Sequence, residues 1–262
     1  MTDEFVAAPG GAVVRRVRAD NPGVMTLDGT NSYVVGVDGG TWVIDPGPDD
    51  DRHLGTLVGV ACELGEPRGV VLTHDHGDHS EGVETLRELL GGVPLQRFGE
   101  DLAASPLRGI HTPGHSADHL VFVLDDILFS GDLILGGSST VVPPGGGTLV
   151  AYLESLTVVA ELAPRLILPG HGDPIDNAAT AVRNQLDHRL AREHALLVAL
   201  DDGVRDREAL LDRAWSDVPP ELRLAAHVTM QSHLEKLDLE GRLAEDFEPD
   251  GRPHWGSRRD MG

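Results

Sequence analysis

Three imidazoles and two carboxylates fall within six consecutive positions of the segment Thr73-His74-Asp75-His76-Gly77-Asp78-His79. Burying so many ionisable groups without partners costs on the order of several kcal/mol. A divalent cation supplies the missing partner, because neutral imidazole nitrogens and carboxylate oxygens are the atoms that Zn2+ and similar ions take. Val70-Val71-Leu72 before the segment reads as a buried strand, and Val83, Leu86 and Leu90 after it recur at helical spacing. The histidines therefore sit on a strand-to-helix loop. Alternate side chains, His74 and His76, can turn toward one ion while Asp78 and His79 reach another.

Three later segments repeat one arrangement, a ligand type directly after a strand or beside a glycine turn. They are Thr112-Pro113-Gly114-His115, Ser130-Gly131-Asp132 and Pro169-Gly170-His171-Gly172. Glycine lets the chain turn sharply there, so that the adjacent side chain projects from a sheet edge. With the loop at 74 to 79 the set is large enough for two ions sharing one carboxylate. The expected arrangement is His74, His76 and His115 on one ion, Asp78, His79 and His171 on the other, and Asp132 between them.

Such a pair of ions, two Zn2+ or similar metals roughly 3.5 to 4 Å apart, lowers the pKa of a shared water toward about 7 and yields hydroxide at neutral pH. Asp78 is expected to orient that nucleophile, while one ion polarises a scissile carbonyl or phosphoryl oxygen. No G-x-S-x-G elbow offers a competing serine mechanism. Asp45 follows the run Trp42-Val43-Ile44 and either accepts a hydrogen bond from a ligand imidazole or caps a turn. His119 has the same supporting role open to it, or a purely structural one. The loop from Gly136 to Gly147 carries Ser138, Ser139 and Thr140, whose hydroxyls together with the following helix N-terminus could bind a substrate anion. Its other reading is a connector with Thr148 as N-cap.

Alternating apolar runs predict strands at 11–19, 31–37, 41–44, 69–73, 93–98, 107–111, 119–124, 127–130 and 165–168. Helical periodicity falls at 54–64, 81–90, 149–160 and 176–199. Two β-rich halves, each with helices, predict an α/β (α+β) class, two sheets face to face with helices outside. This makes residues 1–199 the catalytic domain. After Asp201-Asp202-Gly203 three helices are expected, at about 205–214, 219–226 and 228–239, then a hairpin-like end at 241–244. Residues 200–247 thus have the size and order of a small winged-helix-like domain, and 248–262 read as a disordered tail.

The chain has 262 residues, 40% hydrophobic, with a formal charge of -22. That charge opposes broad attraction to nucleic acid or anionic membrane. Residues 201–246 hold twelve acidic and six basic side chains, so the third helix there is no basic reading head for duplex DNA. The single cysteine, Cys62, excludes an internal disulfide, fits a reducing cytoplasm and is expected to pack as a core thiol. No signal-peptide pattern precedes Phe5, and no apolar run approaches the roughly 20 residues of a membrane span. Cytoplasmic location is the resulting expectation; the oligomeric state is left open.

The T-H-x-H-x-D-H loop, T-P-G-H, G-D and P-G-H-G together resemble the metallo-β-lactamase-fold hydrolases over roughly residues 25 to 175. The resemblance implies a four-layer αββα sandwich. Di-zinc lactamases of the familiar kind use a set including a cysteine in the second site, where this chain has His79 and no cysteine in the matching motifs. A nearer resemblance is to the β-lactamase-like protein 2 group, carried by Gly29-Thr30-Asn31-Ser32-Tyr33, Thr112 to His119, Phe129 to Gly136 and the C-terminal winged-helix-like piece. It implies a hydrolase whose animal member cleaves single-stranded RNA and whose fungal relatives hydrolyse acyl carrier thioesters. Single-stranded RNA is the first substrate expectation, with a thioester, lactone or other small acyl ester as the alternative. A non-enzymatic DNA-binding regulator is the rival of a different class.

Overall fold

Successive residues of the central strands are buried in opposite directions. In β3 (Asn31–Val37) and β4 (Gly40–Ile44), Tyr33, Val35, Trp42 and Ile44 face one apolar cluster while Val34 and Val43 face another. Both faces are covered, which is why these strands read as near-continuous apolar runs. The computed structural model describes residues 2–7, 10–99, 105–145, 148–243 and 247.

One sheet has six strands, in the order β1 (Thr2–Val6), β2 (Val13–Arg18), β3, β4, β5 (Glu66–Val71) and β6 (Leu95–Gln96). The first four pair antiparallel, whereas β4, β5 and β6 run parallel. The second sheet has the order β10 (Leu166–Pro169), β9 (Ile127–Gly131), β8 (Leu120–Leu124) and β7 (Arg108–His111), with β9 and β10 parallel. Phe122, Phe129 and Leu168 of the second sheet join Tyr33, Trp42 and Val71 of the first in the cluster between the sheets.

Two helical layers cover the outer faces. Leu54, Leu57 and Ala61 of α1 (Asp51–Leu64) and Leu86 close over Val34, Val43 and Val70. Leu149, Tyr152, Leu156 and Val159 of α4 (Leu149–Leu162), with Ala178 and Val182 of α5 (Ala178–Asp201), close over Val121, Leu128 and Ile167. The mixed α/β two-sheet architecture is the one expected.

Several local expectations need correction. β1 lies outside the expected strands, since Asp3 and Glu4 interrupt its apolar pattern; both pair with arginines of β2, Asp3 with Arg16 and Glu4 with Arg15, on the sheet edge. The histidine loop contains a short helix, α2 (Gly77–Ser80), and the next helix, α3 (Val83–Leu89), begins after Gly82. Cys62 is exposed, not packed. It follows the buried Ala61, and one residue turns a helix by about 100°, off the inward face.

Beyond α5 the chain forms α6 (Arg207–Ala214), a 3-10 turn at Pro220–Leu222, and α7 (Arg223–Leu239). The expected break near residue 227 is absent because no glycine or proline interrupts Arg223 to Leu239. Leu196, Ala199 and Leu200 at the end of α5 pack with Leu210, Leu211, Met230 and Leu234. The expected boundary at 199/200 thus falls inside a helix that runs on into the C-terminal helical region. Among the described residues no strand follows β10. Ala244 of the expected hairpin and residues 248–262 lie outside the described residues.

Candidate metal centre

The carboxyl ends of the parallel strands in both sheets meet at one edge, a usual place for a site in such sheets. Asp45 follows β4, His74 follows β5, Asp132 follows β9 and His171 follows β10. His115 and His119 come from the connection between β7 and β8. Two glycines permit the approach. A Cβ on Gly131, at φ +46°, would lie 2.7 Å from Thr73 Oγ1 and 2.8 Å from His119 Nε2, and one on Gly170 would lie 2.6 Å from Asp132 Oδ1.

The nitrogens of His74, His76 and His115 converge. His76 Nδ1 lies 2.9 Å from His74 Nε2 and 2.9 Å from His115 Nε2. The far nitrogens of the two outer rings are engaged elsewhere. His74 Nδ1 lies 3.0 Å from Thr73 Oγ1, whose own proton goes to Asp45, and His115 Nδ1 donates to the Val141 carbonyl at 2.9 Å. The Nε2 lone pairs of His74 and His115 therefore both point at one nitrogen, and a single N–H on His76 can satisfy only one of them.

The second group has the same character. His79 Nε2 and His171 Nε2 stand 3.2 Å apart, and Asp78 Oδ2 lies 3.1 Å from His171 Nε2. His79 Nδ1 donates to Asp45 Oδ2 at 2.9 Å, and His171 Nδ1 to the Gly29 carbonyl at 3.3 Å. Asp132 lies between the groups. Its Oδ1 is 3.4 Å from His79 Nε2 and 3.5 Å from His171 Nε2, while its Oδ2 is 3.6 Å from His115 Nε2. That Oδ1 is buried with no hydrogen-bond partner among the described residues.

Charge is distributed unevenly among these groups. Burial opposes protonation of His79, but Asp132 and Asp45 hold its pKa well above the usual histidine range. His171 is raised in the same way, by Asp132 and Asp78 against its burial. Burial, together with the neighbouring His79, pushes His74 well below that range, and burial also depresses His115 and His119. Asp132 is kept well below the carboxylate range despite its burial, by His79 and His171.

The neutral imidazoles of His74 and His115, with lone pairs aimed at one nitrogen, and the buried unpartnered oxygen of Asp132 are the conditions a cation satisfies. It would take the place of the protons that the carboxylates hold on His79 and His171. The donor set fits such an ion. Atoms of His74, His76 and His115, of His74, His79 and Asp132, and of Asp78, His79 and His171 each lie close enough to share one. Tetrahedral nitrogen ligands at about 2.0 Å from zinc stand about 3.3 Å apart, close to the separations here.

A family model described as the Metallo-beta-lactamase superfamily matches residues 25–95 and 93–171. The chain belongs to this superfamily. Its curated relatives include an atrochrysone carboxyl ACP thioesterase of Aspergillus fumigatus, 30% identical over 92% of this chain and 86% of that protein. A beta-lactamase-like protein 2 homolog of Drosophila melanogaster is 30% identical over 88% of this chain and 89% of its own. Among solved structures, a metallo-beta-lactamase family protein from Thermus thermophilus superimposes with a TM-score of 0.67 at 25% identity, covering 90% of this chain and 95% of that one. Superfamily members are metal-dependent hydrolases, typically with two ions.

Within this superfamily frame the remaining expected residues fall as follows. Asp45 accepts from Thr73 N, Thr73 Oγ1 and His79 Nδ1. His119 Nε2 accepts the backbone N–H of Asp132 at 3.2 Å, with its other nitrogen on Thr112 Oγ1. The three loop hydroxyls separate. Thr140 is buried and its Oγ1 donates to the carbonyls of Asp132 and Leu133; Ser139 Oγ lies 3.3 Å from His188 Nδ1. Ser138 and Ser139 line a cleft of about 470 Å³ with Gln185 and His188. Thr148 caps α4 through Ala151 N.

Sequence reasoning missed Thr73, which links Asp45 to His74, and Asn31 and Tyr33, whose side chains donate to the Pro169 carbonyl beside His171. Their only signal was membership of the segments carrying the family resemblance.

Proposed function

We propose that the protein is a dinuclear, zinc-dependent hydrolase of a carboxylic thioester, with His74, His76 and His115 holding one ion, Asp78, His79 and His171 the other, and Asp132 shared. The observation that carries it is Asp132, buried between two converging ligand groups with one oxygen facing each. Ions bound there would activate water and polarise the scissile oxygen. The chain's own part is to hold the ligands. Asp45, Thr73 and the carbonyls of Val141 and Gly29 engage the far nitrogen of four imidazoles, fixing which nitrogen faces the centre. Asp78, about a third exposed, is the carboxylate ligand open to solvent, beside the exposed His76, and is the group assigned to orient the attacking water.

The thioester reading is supported by the fungal relative, a thioesterase, and by the net charge of -22, which does not hinder an uncharged carbonyl substrate. A second reading, cleavage of single-stranded RNA, is favoured by the likeness to beta-lactamase-like protein 2 homologs. Neither reading involves duplex DNA or a membrane, and no described helix is long and apolar enough to cross one. A cytoplasmic location remains part of the proposal. Turnover of an acyl thioester, a lactone and an RNA oligonucleotide, each with and without chelator, tests it. Chelator-sensitive thioester hydrolysis is expected, and activity indifferent to complete metal removal would refute it.

A further inference from the structure

Residues Ser138 to Val142 form a strap between the metal centre and the C-terminal helices, held on both sides by hydrogen bonds of its carbonyls and of the Thr140 hydroxyl. Toward the centre, Thr140 Oγ1 donates to the backbone carbonyl of Asp132 at 2.8 Å, and the Val141 carbonyl accepts from His115 Nδ1 at 2.9 Å. Away from it, Gln185 Nε2 donates to the Ser138 carbonyl, Arg189 Nη2 to the Thr140 carbonyl and Ser232 Oγ to the Val142 carbonyl. Neighbouring residues of one short segment thus touch two expected metal ligands on one side and α5 and α7 on the other.

Arg189 is the informative member. It is 2% exposed, it has no carboxylate in ion-pair reach among the described residues, and its Nε lacks a partner. A buried guanidinium so placed is destabilising unless something compensates it. Here the compensation is the Thr140 carbonyl and the face of Tyr152, 5.0 Å from the guanidinium carbon. Tyr152 in turn donates its hydroxyl to the Leu133 carbonyl, next to Asp132. The costly cation is therefore fastened to the backbone around the shared carboxylate by two routes, through the strap and through the ring.

We infer that Arg189 and Ser232 are positioning residues for the metal centre, acting through the strap at 138–142, so that the C-terminal helices are part of the scaffold of His115 and Asp132. This rests on the metal-centre reading above. It assigns the helical region a part in forming the centre.

The test is cobalt(II) titration of metal-stripped, full-length protein, followed by its visible absorption. Arg189→Met removes the donor and keeps the stem; it should weaken uptake about ten-fold or more and alter the absorption band, the range expected when a group orienting a ligand is lost. Arg189→Lys, which can still donate to the Thr140 carbonyl, should recover most of the uptake and the band. Ser232→Ala deletes one oxygen and should shift both in the same direction by a few-fold, so it decides the matter if Arg189→Met fails to fold. Arg223→Gln, which breaks only surface ion pairs of α7, should titrate as wild type. If Arg189→Met and Ser232→Ala both match wild type in uptake and spectrum, the strap is overturned while the centre stands. If wild-type protein takes up no cobalt, the metal-centre reading falls and this inference with it.

Discussion

Asp45 Oδ2 accepts the Nδ1 proton of His79 at 2.9 Å and also the hydroxyl proton of Thr73, so one buried carboxylate sets the ring of His79 and, through Thr73, the ring of His74. In the proposed assignment these two imidazoles hold different ions, and their nitrogens also come together at Asp132. Asp45 also has φ +51°, a backbone region that asparagine tolerates better than most residues. Asp45→Asn is therefore a substitution that changes charge with little backbone strain. It should lower metal affinity about ten- to a hundred-fold, measured by competition with a chromophoric chelator. Affinity within two-fold of wild type would remove Asp45 from its supporting role.

Metal content follows from the converging ligands. Purified protein should carry close to two ions per chain, and Asp132→Asn should abolish hydrolysis while the circular dichroism of the fold persists. The shared carboxylate contacts both groups, so its loss is expected to reduce content at both positions. Elemental analysis finding wild-type stoichiometry in Asp132→Asn, with normal turnover, would show the assignment of that residue to be wrong.

Acid stability should depend on His233. The ring is buried against Trp215 with neither nitrogen partnered among the described residues. Burial, with the nearby Arg189, Lys236, His188 and Arg192, brings its pKa down to about 3. The unfolded chain protonates the same ring near the usual value of about 6.5. Below that pH the unfolded state binds the extra proton, so this contribution is whole above about 6.5 and is lost progressively as pH falls toward 3. Thermal midpoints of a His233→Phe variant should accordingly fall less between pH 7 and pH 4 than those of wild type. Parallel curves would contradict the depressed pKa.

Ser138 and Ser139 distinguish the two substrate readings. Replacing both with alanine should reduce cleavage of an RNA oligonucleotide by ten-fold or more, about thirty-fold if two hydrogen bonds of about 1 kcal/mol each are lost, and that cleavage should fall steeply with salt. Thioester hydrolysis should change little. Equal losses on both substrates would indicate that these hydroxyls shape the centre instead of contacting an anion. Thr140→Val belongs to a different experiment, because its hydroxyl faces the Asp132 carbonyl and its loss should act on metal retention.

The ligand candidates were legible because each carries its chemistry in its type and its placement in its immediate neighbours. A histidine-rich loop after Val70-Val71-Leu72, or Asp132 after Gly131, announces itself within a few residues, and the two-period of the strands announces the sandwich. What lies far apart along the chain was not legible. Nothing near Asp45 in sequence says that it holds His79 rather than capping its own turn, and Thr140 looked like a substrate contact until the fold turned its hydroxyl onto the Asp132 carbonyl. The expected helix break near residue 227 has no glycine or proline to make it, and Ala226, Met230 and Leu234 on either side of it share one buried cluster with α5 and α6. By itself the sequence determined which side chains could hold ions and which strands present them. Only the tertiary structure decided that Asp45 holds Thr73 and His79, and which distant side chains, Arg189 and Ser232 among them, reach the strap behind Asp132, because hydrogen bonds across 28 to 90 positions leave no periodic trace in the chain.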